Sequence, residues 1–224
     1  NLITRVNVLG MALAGAGIGR DTLRTTLITM MDLKADPYVL NLTRALAYLA
    51  NTVLRGNFRW QSPPVPFDLY YDGWDSVLFE EFRAGQKIRD AAKDVTSRQR
   101  LLEDADFRAK FRKDLLRKFA PKVWHRDLAD TVILSCPDKK TVGKSFAEVA
   151  RERGADAIEV FLDMLLTYDR DIRWHTCLAN HRPEKLAQIM QSEATLMSFA
   201  DSGAHLRNMA FYNFPLRMLK NVRD

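Results

Sequence analysis

Residues 175–205 read HTCLANHRPEKLAQIMQSEATLMSFADSGAH, and they carry the clearest structural pattern in the chain. Residues 175–179 and 195–200 are short apolar runs, which are typical of buried strands. Between them, Pro183 occupies the position that is favoured for the first residue of a helix. A strand, a helix and a second strand at this spacing predict a βαβ unit, and such units build parallel sheets.

The residues upstream continue this alternation. Residues 131–136 form a compact apolar run that predicts another buried strand. Ser145 and Glu148 have the spacing of a capping box, and Asp156 is suited to cap the next helix. We therefore predict that residues 131–224 form successive βα units of an α/β protein.

Two further zones precede these units. Residues 1–56 are interpreted as a helix-rich N-terminal segment. Residues 57–130 contain short strand candidates at 67–71 and 77–79, followed by a basic helical insertion at about 83–126. The first residue is Asn rather than Met, so we expect that further residues precede this sequence.

The composition is that of a folded globular protein. Of the 224 residues, 47% are apolar and 28% are charged, which excludes a wholly disordered chain. The longest apolar run, residues 6–19, is short for a membrane span and is bounded by Arg5 and Arg20, so no membrane association is expected. Cys136 and Cys177 lack a CxxC context, and we expect reduced thiols in a cytoplasmic protein.

The positive charge is concentrated in one segment. The chain has a formal net charge of +6, whereas residues 83–126 alone hold fourteen basic and six acidic residues, a local charge of +8. An apolar stripe with a period of four residues indicates a helix there; it consists of Phe107, Phe111, Leu115 and Phe119. The favoured interpretation of the charge is a solvated helix face, and the alternative is a surface that binds anions or a partner. Nucleic acid is not an expected partner.

Four residues suited to metal or carbonyl chemistry lie at or near the ends of predicted strands: His175, His181, Asp201 and His205. In parallel α/β folds the reactive groups lie just past the carboxyl ends of the strands. A carboxylate there can ligate a metal, accept a proton from water and pass it to a leaving nitrogen. The alternative is that Asp201 only caps the turn that contains Gly203.

Several short motifs extend this pattern. They are LANHRP at 178–183, FADSGAH at 199–205 and YNFPLR at 212–217, together with DG at 72–73 and FEEF at 79–82. In combination they resemble the N-acyl-D-amino-acid deacylase (D-aminoacylase-like) group of the amidohydrolase superfamily. The resemblance extends over about residues 55–224 and is most specific around Asp201.

The resemblance implies a metal-dependent (β/α)8 barrel accompanied by a small β domain. It implies that Asp201 binds or faces zinc or another divalent metal and acts as general base and acid. It further implies that Arg207 binds the carboxylate of the substrate, with His205 also on the substrate side. The partner would be a small N-acyl amino acid, and the chain could assemble as a homo-oligomer.

Two features depart from the family pattern. Family members carry an HxH pair after the first barrel strand, whereas the histidines here are isolated: His125, His175, His181 and His205. The chain is also shorter than a typical barrel of about 250 residues. We therefore interpret it as the C-terminal portion of a barrel with a helical insertion. The remaining metal ligands are expected upstream, so the chain alone is expected to lack a complete set of ligands for zinc or another divalent metal.

The resulting functional hypothesis is hydrolysis of an amide bond, with an N-acyl-D-amino acid as substrate and this chain as part of the enzyme. The alternative is a non-catalytic interaction or structural fragment, or a degenerate paralogue.

Overall fold

The structure is a computed structural model, and it describes residues 24–28, 30–53, 55–91, 94–117, 122–198, 207–209 and 211–223. Its strands are β1 (Arg24–Ile28), β2 (Asn57–Ser62), β3 (Phe67–Asp72), β4 (Thr131–Ser135), β5 (Arg173–Ala179) and β6 (Thr195–Met197). Its helices are α1 (Tyr38–Tyr48), α2 (Arg83–Asp90), α3 (Val95–Glu103), α4 (Ala105–Leu115), α5 (Phe146–Arg153), α6 (Ala157–Tyr168), α7 (Pro183–Met190) and α8 (Phe214–Arg223).

The chain divides into two compact units. Unit 1 contains the described residues of Asn1–Pro66, Ala179–Ser202 and Phe211–Asp224. Unit 2 contains those of Phe67–Leu178 and Gly203–Ala210. In the sequence, most of unit 2 is thus inserted between β2 and α7 of unit 1, and its residues 207–209 come after β6.

Unit 1 is built on a parallel sheet with the strand order β1, β2, β6. Helix α1 connects β1 to β2, which makes this segment a βαβ unit. The pairing continues beyond β1, because the Met30 N–H donates to the Gln61 carbonyl at 3.0 Å. The hydrophobic core beside the sheet includes Met30, Leu40, Ala47, Ala50, Phe58, Trp60 and Ile189.

A π-helical turn, Leu49–Val53, extends α1 and is fixed by a side chain. Asn51 Nδ2 donates to the Phe58 carbonyl at 2.8 Å, and Asn51 Oδ1 accepts from the Phe58 N–H at 2.7 Å. The amide of Asn51 therefore pairs with β2 as a neighbouring strand would. This contact holds the end of α1 against the beginning of β2.

Unit 2 contains a three-stranded sheet with the order β3, β5, β4. Its strands confirm the predicted strands at 67–71, 131–136 and 175–179. Strands β4 and β5 are antiparallel, with Thr131 opposite Thr176.

Aromatic rings fill the core of unit 2. The ring of Phe79 is fully buried, and its centroid lies 5.9 to 6.4 Å from the centroids of six other rings: Trp74, Phe82, Phe111, Trp124, Phe161 and Trp174. The predicted stripe is confirmed for Phe107, Phe111 and Leu115, which are buried in α4, while Phe119 lies outside the described residues. The basic segment therefore packs through its apolar face.

The predicted βαβ unit over residues 175–200 is wrong. Strand β5 pairs antiparallel with β4, and β6 pairs parallel with β2 in the other sheet. An apolar run predicts that a strand forms, but its partner is chosen by contacts with residues that are distant in sequence. A parallel sheet exists and includes β6, but the neighbour of β6 in it is β2 and not β5.

Residues 77–79 were predicted as a strand, and this is also wrong. They begin a 3₁₀ helix, Val77–Glu81, because the Ser76 hydroxyl caps it by accepting from the Leu78 N–H at 3.2 Å. Leu78 and Phe79 are both buried, whereas a half-buried strand would expose every second residue.

The limits of the predicted zones also differ from those of the two units. Helices α2, α3 and α4 lie within the predicted insertion at 83–126, but the inserted unit is larger. The predicted boundaries at 56 and 130 coincide with neither end of it. In the helix-rich segment 1–56, residues 24–28 form strand β1, and residues 1–23 lie outside the described residues.

Both cysteines are buried and form no disulfide. Among the described residues, no helix is long and apolar enough to cross a membrane.

Candidate functional site

The carboxyl ends of the three parallel strands meet at one edge of the unit 1 sheet. Ser62, the last residue of β2, lies opposite Met197, the last residue of β6, and Ile28 of β1 lies opposite Gln61. Ligands and reactive groups of parallel α/β proteins gather at this edge. The segments that follow the strands here are therefore the candidate site.

A buried ion pair lies just beyond β1. The side chain of Asp32 is completely buried, and it accepts from Arg182 Nε at 2.7 Å and from Arg182 Nη2. Two parallel hydrogen bonds between a guanidinium and a carboxylate give this pair a fixed geometry. The bond to Asp32 raises the pKa of Arg182, with burial acting in the opposite direction, so the guanidinium stays charged.

Asn180 connects this pair to the segment of unit 1 that follows β2. Its backbone N–H donates to the Asp32 carbonyl at 2.9 Å, and its Oδ1 accepts from the Asp32 N–H at 3.0 Å. Its Nδ2 donates to the carbonyls of Pro63 at 3.0 Å and Val65 at 3.4 Å, beyond the end of β2. The residue has φ +57°, a left-handed conformation that asparagine tolerates.

The polar groups of Asp32, Asn180 and Arg182 stabilise the loops at the carboxyl ends of the strands and are not available for a reaction. Both carboxylate oxygens of Asp32 are bound to Arg182, and the Asn180 side chain is bound on its oxygen and its nitrogen. On the same edge, Asn221 of α8 donates from Nδ2 to the Pro64 carbonyl at 2.9 Å. The loops after β1 and β2 are thereby fixed relative to each other.

Asp201 and His205, the predicted catalytic and substrate-binding residues, lie outside the described residues. Asp201 follows the end of β6 by four residues in the sequence. Strand β6 is parallel to β2, which agrees with the strand type predicted before Asp201. That the carboxylate faces a cavity stays a prediction.

Arg207 lies in unit 2, where it pairs with a carboxylate of the chain itself. Its Nε donates to Asp72, which also accepts from Arg173 Nη1 at 2.7 Å. Burial acts to raise the pKa of Asp72, but the bonds from Arg207 and Arg173 outweigh it and lower that pKa. A substrate carboxylate would compete with Asp72 for Arg207, and the predicted substrate role stays a prediction.

Two of the described histidines lie within hydrogen-bond distance of another side chain. His175 Nε2 lies 3.0 Å from Asp68 Oδ1, and His125 Nε2 lies 2.9 Å from Thr176 Oγ1. His181 is exposed. Within the part of the chain that the structure describes, no three His, Cys, Asp or Glu side chains are grouped so that they could hold a metal ion. These residues therefore do not fit a zinc site.

A cavity of about 570 Å³ lies at the opposite edge of the unit 1 sheet. It is lined by Asn57, the first residue of β2, by Ala194 just before β6, and by Arg44, Tyr48 and other side chains of that region. The amino-terminal ends of parallel strands are seldom reactive. We therefore do not include this cavity in the candidate site.

Sequence reasoning missed Asp32 and the roles of Asn180 and Arg182. Residues 178–183 were singled out only for a family resemblance, and Asp32 fell in a segment that was interpreted as helical. The usable signal was a carboxylate directly after an apolar strand, in the sequence LITMMD at 27–32.

The chain is similar to longer proteins from mycobacteria. Proteins of Mycobacterium bovis and of two strains of Mycobacterium tuberculosis, all three named as uncharacterized, are 43% identical to it over 207 residues. The match covers 92% of this chain but only 34% of each relative, so the chain spans about a third of their length. No protein-family model matches the chain, and no solved structure matches it significantly.

Proposed function

We propose that the chain is part of a metal-dependent hydrolase that cleaves an amide bond, with an N-acyl-D-amino acid as its substrate. The observation that carries the proposal is the parallel pairing of β6 with β2, because Asp201 in the sequence FADSGAH follows the last residue of β6 by four positions along the chain. This is the strand environment in which barrel hydrolases carry a reactive carboxylate.

The order of elements in unit 1 supports the proposal. Without the inserted unit it reads β1, α1, β2, α7, β6, α8, an alternation that is typical of (β/α)8 barrels. Three parallel strands are fewer than the eight of such a barrel. The greater length of the relatives is in keeping with a protein in which other residues supply the remaining strands.

In the proposed reaction Asp201 moves one proton. Its carboxylate accepts a proton from the attacking water as the water oxygen bonds to the amide carbon. When the C–N bond breaks, the same proton passes to the leaving nitrogen, which yields an amine and a carboxylic acid. A bound divalent metal would polarise the carbonyl and the water, and its other ligands would come from residues outside those described.

The substrate side is proposed from the family resemblance. Arg207 would bind the substrate carboxylate, and His205 would lie beside it. Because Arg207 contacts Asp72, the proposal requires that the substrate displaces or shares this contact.

The decisive experiment uses the full coding sequence that contains these residues. Asp201→Asn keeps the shape of the side chain but removes its basicity, so turnover of N-acetyl-D-amino acids should fall by about a hundredfold or more. Asp106→Asn, an exposed residue at the start of α4, is the matched control and should leave turnover unchanged.

Metal content, measured on the same samples, tests whether the proposed hydrolase contains a divalent metal. Retained activity in Asp201→Asn would remove Asp201 from the mechanism. A full-length protein that is folded, is supplied with zinc and still hydrolyses no N-acyl amino acid would instead favour the non-catalytic alternative.

A further inference from the structure

A second cavity, of about 250 Å³, lies in unit 2 between α2 and α4. Its apolar floor includes Ala84 and Phe107, both of which are buried. Four exposed basic side chains surround the opening: Arg83 and Lys87 from α2, and Lys110 and Lys113 from α4. The cations thus converge on one small space from two helices.

The positive charge of this cavity is not neutralised within the described residues. Four other arginines of this region have carboxylate partners: Arg89 pairs with Asp75 and Glu80, Arg108 with Glu159 and Asp163, Arg112 with Asp156 and Glu159, and Arg126 with Glu81. In the described part of the chain, no carboxylate lies within ion-pair distance of the four cavity cations. Like charges held together repel each other, and a bound anion would relieve this repulsion.

The one acidic residue of the cavity, Asp114, has a separate structural task. Its Oδ2 accepts from the Ala84 N–H at 3.0 Å, in the first turn of α2. The N-cap residue of α2, Phe82, offers no capping side chain, so Asp114 substitutes for one. Its single charge leaves a net charge of +3 among these five side chains.

We infer that this cavity binds a compact polyanion that carries phosphate groups. Lysine ammonium groups bind phosphate as point charges, and here they reach one space from opposite sides. The cavity is smaller than the roughly 300–1,000 Å³ typical of sites for larger ligands, which favours a compact anion. The cations surround a depression instead of following an extended line of phosphates, so nucleic acid is disfavoured.

This site lies in the inserted unit and shares no residue with the proposed hydrolytic site, so it does not rest on the proposed function. The probe for the test is inorganic diphosphate, titrated calorimetrically into the whole chain at about 50 mM salt, where screening is moderate. We expect binding that weakens as the salt concentration rises.

Two double variants locate the binding. Lys87→Gln with Lys113→Gln should weaken diphosphate binding by about tenfold, because it removes one cation from each helix. Lys139→Gln with Lys140→Gln is the matched control: it removes the same charge from an exposed turn of the same unit and should have little effect. Circular dichroism confirms that each variant is folded.

A variant that is expected to strengthen binding distinguishes an effect of charge from an effect of misfolding. Asp114→Asn retains an oxygen that can accept from the Ala84 N–H and removes the only negative charge of the cavity. Diphosphate should then bind more tightly, by about threefold. Damage to the fold could not produce this gain.

Three results would overturn the inference. The first is a wild-type chain that binds no diphosphate. The second is equal weakening in both lysine double variants, which would indicate a diffuse charge effect. The third is tighter binding of duplex DNA than of diphosphate at the same salt concentration, which would identify a nucleic-acid surface instead.

Discussion

Breaking the pair between Asp32 and Arg182 should open the carboxyl edge of the unit 1 sheet. Arg182→Met keeps much of the length of the side chain but leaves the completely buried Asp32 carboxylate without its two guanidinium bonds. Removing one partner of a buried pair costs about 3–5 kcal/mol. The Arg182 side chain is 34% exposed, so water replaces part of the loss, and we expect about 3 kcal/mol.

A double-mutant cycle with Asp32→Asn separates the effect of the buried charge on stability from the effect of lost packing. Asp32→Asn removes the charge but keeps one acceptor oxygen, so it should cost about 1.5 kcal/mol. The double variant should cost less than the sum of the two single variants by about 1–2 kcal/mol, because the isolated charge is gone. Arg44→Met is the control, since this exposed arginine makes only a 3.4 Å contact with Gln188.

Hydrogen exchange measured by mass spectrometry reports the local stability of unit 1 separately from that of unit 2. The amides of Met30 and Asn180, which are hydrogen-bonded at this edge, should exchange roughly a hundredfold faster in Arg182→Met. Peptides from α6 give the reference within unit 2. A stabilising role of the Asp32–Arg182 pair is refuted if Arg182→Met lowers the free energy of unfolding no more than Arg44→Met, or if the effects of the two single variants are additive.

Two further predictions concern unit 2. Gly73 has φ +52°, and a Cβ there would lie 2.0 Å from the Asp169 carbonyl oxygen, so Gly73→Ala should lower the free energy of unfolding by more than about 3 kcal/mol. Gly143 also has a positive φ but has open space around it, so Gly143→Ala should lower the free energy of unfolding by only about 1 kcal/mol. Thermal denaturation measures both variants, and equal losses of stability would show that the contact with Asp169 does not matter. Burial raises the pKa of Glu81 despite the hydrogen bonds from the Trp124 and Val123 N–H groups, so its contribution to stability is present at low pH and is lost as the pH rises through the folded-state pKa. Glu81→Gln should therefore compare more favourably with the wild type at pH 7 than at pH 4 in urea denaturation; an unchanged difference would exclude a raised pKa.

Features set by neighbouring residues could be predicted from the sequence. The Ser145 hydroxyl accepts from the Glu148 N–H at 3.2 Å, and Glu148 Oε2 accepts from the Ser145 N–H at 2.8 Å, which confirms the predicted capping box. The helix ends at Gly154 with φ +63°, and the next begins behind its cap Asp156. Such bonds join residues that are close in sequence, so spacing and residue type are enough to predict them.

Strand partners and the buried ion pair could not be predicted in this way. The apolar run that forms β5 looks the same whether the neighbouring strand is β4 or β6, because pairing depends on contacts between distant residues. Asp32 and Arg182 are separated by 150 positions, and neither has a local pattern that requires the other. The proposed reactive role of Asp201 rests on the resemblance, and the structure adds only the parallel strand that precedes this residue in the sequence.

The cluster around Asn180 explains how a unit 1 sheet can accommodate the insertion of unit 2. The chain leaves unit 1 through residues 62–66, SPPVP, and returns at Ala179. Asn180 Nδ2 binds the carbonyls of Pro63 and Val65, so the points of exit and return are held together by bonds within unit 1. Prolines restrict the backbone of the exit segment, which lowers the entropy lost when it is held in place. Closing an inserted segment costs little more as its length increases, provided that its ends are already close. Asn180 and its partners therefore act for unit 1 as a short connecting loop would. They hold the end of β2 close to the beginning of α7, the helix that precedes β6 and Asp201 in the sequence.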